Sequence, residues 1–168
     1  FVYIFRDPRD IAISFAKHMG TSLDKAIEIM LFNNNYMTTN FQVNESVCTW
    51  KNNLDSWLHF KGVSRLIIKY EDIINNTPRI LHQIIEFLIN IAKIKINDDT
   101  NQVNNILQST SFYRLEQLEK ENGFSEASIH SKFFRKGKVE QWKNILSSNQ
   151  IKLIEKELYT PMSVLGYL

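Results

Sequence analysis

The chain opens on a short apolar run, Val2-Tyr3-Ile4-Phe5, that stops at Arg6. β-Branched and aromatic residues in a run this short predict a buried strand of a parallel sheet. Asp7 suits a helix N-cap and Pro8 its first turn, where a missing N–H costs nothing. The helix is expected to run to Met19 and to end at Gly20. Thr21 or Ser22 can cap a second helix through Leu31, with Ala26, Ile27, Met30 and Leu31 as its apolar stripe. Asn33-Asn34-Asn35 breaks the stripe, and the polar run to Asn44 reads as a loop. Between Glu45 and Phe60, the residues Val47, Trp50, Leu54, Trp57 and Leu58 recur at helical spacing, which predicts a third helix with both tryptophans in the core. Gly62 is expected to end it, and Arg65 to Tyr70 reads as a second strand. A helix between two such strands is the βαβ pattern and implies parallel pairing.

Thr77-Pro78 starts another helix, with Ile80, Leu81, Ile84, Ile85 and Leu88 on its buried side. Asn97 to Thr100 is turn-rich and can cap a helix ending near Gln108, and a further helix is expected from Tyr113 to Glu121, closed by Gly123. Ser147 or Ser148 caps a last helix containing Ile151, Ile154 and Leu158, which Pro161 should stop. With 168 residues and 43% hydrophobic content, the whole length, 1–168, is read as one α/β domain. A net charge of +2 gives no global field of the kind that marks a nucleic-acid binder. The single cysteine, Cys48, cannot form an intramolecular disulfide, and no Cys or His cluster has zinc-ligand spacing, so no metal is expected. No apolar run approaches the roughly 20 residues of a membrane-spanning helix.

Against this background three stretches carry candidate chemistry. At the first strand–helix junction, free backbone donors, the Arg6 cation and the Ser14 hydroxyl, about two helical turns further on, make a phosphate site. The plain alternative pairs Arg6 with Asp10. Tyr70-Glu71-Asp72 lies at the end of the second strand, where open α/β sheets collect ligands. Its adjacent carboxylates should point apart on a strand end and are not taken as an acid/base pair. Lys132 to Lys143 holds five cations against one acid. Within it, Arg135-Lys136-Gly137 offers two charged donors and an accessible backbone N–H, a clamp for a phosphate.

These stretches match a family in order. Arg6-Asp7-Pro8-Arg9-Asp10-Ile11-Ala12-Ile13-Ser14 resembles the 3'-phosphate-binding segment of sulfotransferases, which use 3'-phosphoadenosine 5'-phosphosulfate as donor. Tyr70-Glu71-Asp72 is similar to their Tyr-Glu-Asp motif, and Thr110-Ser111-Phe112 to their Ser-Phe element. Arg135-Lys136-Gly137 with Trp142-Lys143 is similar to their Arg-Lys-Gly-x-x-Gly-x-Trp-Lys motif. The resemblance implies a P-loop NTPase-like three-layer α/β fold with a parallel sheet, incomplete at its N-terminus. The Lys-Ser-Gly-Thr loop for the 5'-phosphosulfate would then lie ahead of Phe1. It implies that Arg6, Ser14, Arg135, Lys136 and Gly137 hold the 3'-phosphate and that Tyr70, Thr110 and Phe112 attend the adenine, Phe112 as a flat face to stack on.

The implied reaction moves a sulfonate group to a hydroxyl or amine acceptor without a metal. The same resemblance implies a cytoplasmic enzyme with neither nucleic-acid nor membrane partners, and leaves a homodimer open. No catalytic residue is nominated, since His18, His59, His82 and His130 do not fall where the family's catalytic histidine lies. Met19 to Ile27 resembles bacterial members, where this region borders the acceptor pocket. One position departs from the pattern. Glu140 stands where the motif has its second Gly, and a side chain there is expected to cost roughly 1 kcal/mol if the backbone needs positive φ. Its carboxylate also works against binding of phosphates. A non-catalytic remnant or nucleotide-binding module is the alternative function.

Overall fold

A computed structural model describes residues 1–32, 36–37, 45–46, 48–93 and 100–168. In chain order the first half forms β1 (Val2–Phe5), α1 (Pro8–Met19), α2 (Leu23–Phe32), β2 (Tyr36–Met37), β3 (Glu45–Ser46), α3 (Trp50–Leu58), β4 (Leu66–Lys69) and α4 (Tyr70–Asn75). The second half is helical: α5 (Thr77–Ala92), α6 (Thr100–Ser109), α7 (Phe112–Asn122), α8 (Trp142–Ile145), α9 (Ser148–Glu157) and α10 (Tyr159–Val164). These elements form two compact units. The first comprises Phe1–Arg6 and Gly62–Val139, the second Asp7–Lys61 and Glu140–Leu168.

In the first unit β1 pairs with β4, parallel as the βαβ pattern requires, in the register Val2↔Leu66 through Phe5↔Lys69. Ile68 is buried, whereas Ile4 on β1 is 50% exposed, so β1 is less covered than its apolar run suggests. The second strand also ends earlier than expected. Tyr70 opens α4 instead of closing the strand, because Glu71 and Asp72 sit well in a helix's first turn, near the positive end of its dipole. The two acids are therefore helix-start residues, not strand-end residues that point apart. Asn76 then caps α5, accepting from Arg79 N at 3.2 Å. Of the expected buried side of α5 only Ile80 is fully buried, and Leu88 is exposed. Periodicity reveals which face is apolar but not how far a neighbour covers it.

In the second unit Asp7 caps α1 as expected, its Oδ1 accepting from Arg9 N at 2.9 Å, and Gly20 ends the helix with φ +62°. Ala12, Ile13 and Ala16 on α1 and Ala26, Ile27 and Met30 on α2 are buried at the contact between these helices. The small alanines let the two backbones approach closely. Ile154 of α9, Leu158 between the two helices and Met162 of α10 extend the core. Ser22 is the residue that caps α2, accepting from Lys25 N, and Ser147 forms a reciprocal capping box with Gln150.

Four expectations change here. α3 begins at Trp50, because Thr49 Oγ1 caps it through Asn52 N, while Glu45–Ser46 pairs as a strand with Tyr36–Met37. Its covered face narrows to Trp50 and Leu54, and Trp57 is 41% exposed, not core. α3 ends at Leu58, and Gly62 lies in the turn before β4. Pro161 does not stop the last helix. It occupies the third position of α10, where its missing N–H still costs nothing, and the helix continues to Val164. Val47, most of the run Asn33 to Asn44, and Asn97 to Asp99 lie outside the described residues.

Glu140 has φ +57°, the left-handed region that disfavours any side chain. Its carboxylate pairs with Lys143 Nζ at 2.7 Å, an exposed pair worth only a few tenths of a kcal/mol. Strain therefore outweighs the ion pair. Glu140→Gly should be about 1 kcal/mol more stable than Glu140→Ala in urea denaturation, since both lose the pair and only glycine loses the strain. Equal stability of the two variants would mean the position has no need of positive φ.

Candidate functional site

The strand register fixes the first part of the site. Because Phe5 lies opposite Lys69, Arg6 and Tyr70 leave the same end of the parallel pair side by side. The Arg6 guanidinium sits over the Tyr70 ring, 4.4 Å from its centroid. It also donates from Nη2 to the Lys138 carbonyl at 2.7 Å. A guanidinium stacked on an aromatic face keeps its donors in one plane, the geometry that suits an anion. The contact with Lys138 ties the strand end to the loop that carries Arg135, Lys136 and Gly137.

That loop is shaped by close packing. Gly137 has φ +55°, and a Cβ placed on it would come within 2.5 Å of Phe112 Cδ2. Glycine is required twice over, by backbone conformation and by the ring lying against it. Phe112 is the first residue of α7, after the Ser111 cap, and meets Phe134 edge-on at 6.3 Å. Part of its ring thus staples α7 to the loop, while 37% of its surface stays open. Phe124, Phe133 and Phe134 extend the aromatic cluster, with centroids 4.7 to 5.3 Å apart.

Among the described residues neither Arg135 nor Lys136 has a side-chain hydrogen bond or ion-pair partner; the Arg135 backbone N–H donates to Phe133 O at 3.0 Å and tightens the turn. Two unneutralised cations beside a half-buried glycine backbone suit an anionic ligand. Thr110 is exposed, and its hydroxyl donates to Ile106 O at 2.6 Å. What remains to that hydroxyl is acceptance, the role an exocyclic amino group would require.

Arg6, Tyr70, Thr110, Phe112, Arg135, Lys136 and Gly137 all belong to the first unit, and Ser14 to the second. Ser14 is half-buried on α1. The second unit also holds Trp142, whose backbone N–H donates to Asp10 Oδ1 at 3.0 Å and whose ring lies 3.8 Å below the Arg9 guanidinium. Arg9 is buried, in a salt bridge to Asp7 at 2.7 Å and another to Glu155 at 2.5 Å, and donates to the Tyr167 carbonyl. Burial works against its charge, but Asp7 and Glu155 more than offset this, and its pKa is raised above the ordinary arginine value. Arg9 therefore stays charged across the whole working range of pH and contributes no pH dependence of its own there.

Arg9, Asp10 and Glu119 were not singled out as site residues by sequence, Asp10 entering only as an alternative partner for Arg6. The first two meet Trp142 across more than a hundred residues of chain, which no local pattern signals. Glu119 lies seven residues after Phe112 and so on the same helical face, a spacing that does mark it. Among the described residues no group of His, Cys, Asp or Glu is gathered as for a metal ion, and no helix is long and apolar enough to cross a membrane.

A family model described as "Sulfotransferase domain" matches residues 1–163. Sulfotransferase 6B1 of Danio rerio is 30% identical over 162 residues, covering 93% of this chain and 49% of the relative. Sulfotransferase 2A2 of Rattus norvegicus is 26% identical, with 96% and 56% covered. The chain thus spans about half the length of the curated relatives it matches. Among solved structures, mouse sulfotransferase SULT7A1 complexed with PAP superposes with a TM-score of 0.69 at 23% identity, covering 96% of this chain and 57% of that one. A retinol dehydratase in complex with androsterone and inactive cofactor PAP gives 0.68 at 20% identity, with 96% and 46% covered. At these identities the likeness speaks for the fold alone, the P-loop-like α/β arrangement with a parallel sheet that the sequence implied.

Gly137→Ala should lower stability by about 2 kcal/mol or more, since left-handed strain and the collision with Phe112 add. In a Phe112→Leu background the same change should cost only about 1 kcal/mol, the strain alone. Additive losses in this double-mutant cycle, read by urea denaturation, would reject the contact as the reason for glycine.

Proposed function

This chain belongs to the sulfotransferase domain family, and from that premise we infer that it carries the 3'-phosphate and adenine half of a donor site for 3'-phosphoadenosine 5'-phosphosulfate. The protein it represents moves a sulfonate group from that donor to a hydroxyl or amine of a small-molecule acceptor. The donor supplies the activated sulfonate. The residues of this chain bind and orient its nucleotide. Arg6, Arg135 and Lys136 supply fixed positive charge for the 3'-phosphate and the Gly137 N–H adds a backbone donor; the Ser14 hydroxyl is nominated by the motif resemblance alone. Phe112 offers a face to the adenine, and the Thr110 oxygen can accept from its amino group. Anchoring the nucleotide at a point remote from the reacting sulfur is itself catalytic, because it holds donor and acceptor in line and removes the entropy of bringing them together.

The observation that supports this reading most is the pair of unneutralised cations, Arg135 and Lys136, on a loop joined to strand-end Arg6 through the Lys138 carbonyl. A second reading, a nucleotide-binding module without transfer activity, is favoured by Glu140, strained at φ +57° where the family pattern has glycine.

Isothermal titration calorimetry with 3'-phosphoadenosine 5'-phosphate and with adenosine 5'-monophosphate tests the binding assignment common to both. The 3'-phosphorylated nucleotide should bind more tightly, and Arg6→Ala should weaken it by about 10- to 100-fold, the worth of a hydrogen bond to a charged group, while leaving the monophosphate nearly unchanged. Binding that ignores Arg6 would reject the site, and absence of binding would reject the nucleotide reading.

A further inference from the structure

The loop that bears Arg135 and Lys136 is gripped from below by one helix. Glu119, on α7, is 8% exposed, and its two carboxylate oxygens accept from consecutive backbone N–H groups, Oε1 from Phe133 at 2.7 Å and Oε2 from Phe134 at 2.9 Å. Seven residues earlier on α7, the Phe112 ring lies against Gly137. Arg135 and Lys136 are thus the two residues between a carboxylate clamp on one side and a ring-packed glycine on the other.

A buried carboxylate close to cations ordinarily takes one of them as its partner, since an unpaired charge is costly to bury. Glu119 is satisfied instead by backbone N–H groups, through charge-assisted bonds about twice as strong as neutral ones. The consequence is selective. The loop backbone is fixed, yet neither neighbouring cation is neutralised, so both stay available to a ligand. Lys132, Arg135 or Lys136 paired with Glu119 would have lost that property.

We propose that Glu119 is a positioning residue of the anion site, one that fixes the backbone before Arg135 and so sets discrimination for a nucleotide bearing a ribose 3'-phosphate. This rests on the donor-site reading above. Glu119 touches no ligand atom in this role; it acts through the Phe133 and Phe134 amides.

The test combines amide hydrogen exchange with nucleotide affinity on the full chain and on Glu119→Gln, whose side chain has the same shape but turns an NH2 toward one of the two amides. In the wild type the Phe133 and Phe134 amides should exchange slowly although Phe133 lies at the surface; fast exchange there overturns the clamp without need of any variant. In Glu119→Gln both should exchange at least about tenfold faster with the Ile13 amide of α1 unchanged. The variant's affinity for 3'-phosphoadenosine 5'-phosphate should fall about tenfold, with that for adenosine 5'-monophosphate altered less than about twofold. If the wild type prefers the 3'-phosphorylated nucleotide and the variant keeps the same preference, the positioning role is wrong while the donor site stands. If the wild type shows no preference, the donor-site reading fails and this proposal falls with it.

Discussion

The parallel pairing of β1 with β4 is the constraint on which the site in the first unit depends. Its register sets Phe5 against Lys69, and the next residue on each strand, Arg6 and Tyr70, therefore emerges at the same carboxyl end. A slip of one residue would turn Ile68 from the core to the surface and carry Tyr70 away from the Arg6 guanidinium. Hydrophobic burial along a strand of four residues thus determines the placement of a cation. Arg6 passes that placement on through its bond to the Lys138 carbonyl, which holds the loop of Arg135 to Gly137 at the strand end.

Charge is handled differently in the two units. In the second, Arg9 is buried and saturated: two carboxylates, a carbonyl and the Trp142 ring use its donors and its face, which suits a structural tie between α1, α9 and the C-terminal segment. In the first, Arg135 and Lys136 have no such partners among the described residues, and the nearby buried carboxylate of Glu119 is spent on backbone amides. A saturated arginine supports a fold, and a cation held beside a satisfied backbone supports a ligand. Strain follows the same loop. Gly137 takes its left-handed conformation without cost, whereas Glu140 reaches φ +57° with a side chain, three residues on.

Much of this was legible in the sequence because it is local. The Asp7 cap, Pro8 start and Gly20 stop of α1 each follow from one residue's backbone chemistry, and the parallel pairing follows from a helix between two short apolar runs. The cost of a side chain at Glu140 was read from its place in the Arg-Lys-Gly motif on the condition of a positive φ, and the structure has φ +57° there. Coverage was not legible. The same periodicity that marks Trp50 and Leu54 also marks Trp57, and that of Ile80 also marks Leu88, yet burial depends on where the neighbouring element ends. Tyr70 has strand propensity, but the acids after it favour a helix start. In the candidate site, Arg6 and the Arg-Lys-Gly loop could be named from their chemistry and Glu119 placed on the Phe112 face by its spacing, while the contacts of Arg9 and Asp10 with Trp142, distant in sequence, needed the structure.

The central claim is that the loop of Arg135, Lys136 and Gly137, joined to Arg6, receives a ribose 3'-phosphate. A crystal structure of this chain with 3'-phosphoadenosine 5'-phosphate tests it most directly. The 3'-phosphate oxygens should lie about 2.7 to 3.0 Å from the Arg6 and Arg135 guanidinium nitrogens and the Gly137 backbone N–H, the range of charge-assisted hydrogen bonds. A nucleotide bound with its 3'-phosphate in solvent and Arg135 turned away from it would contradict the claim.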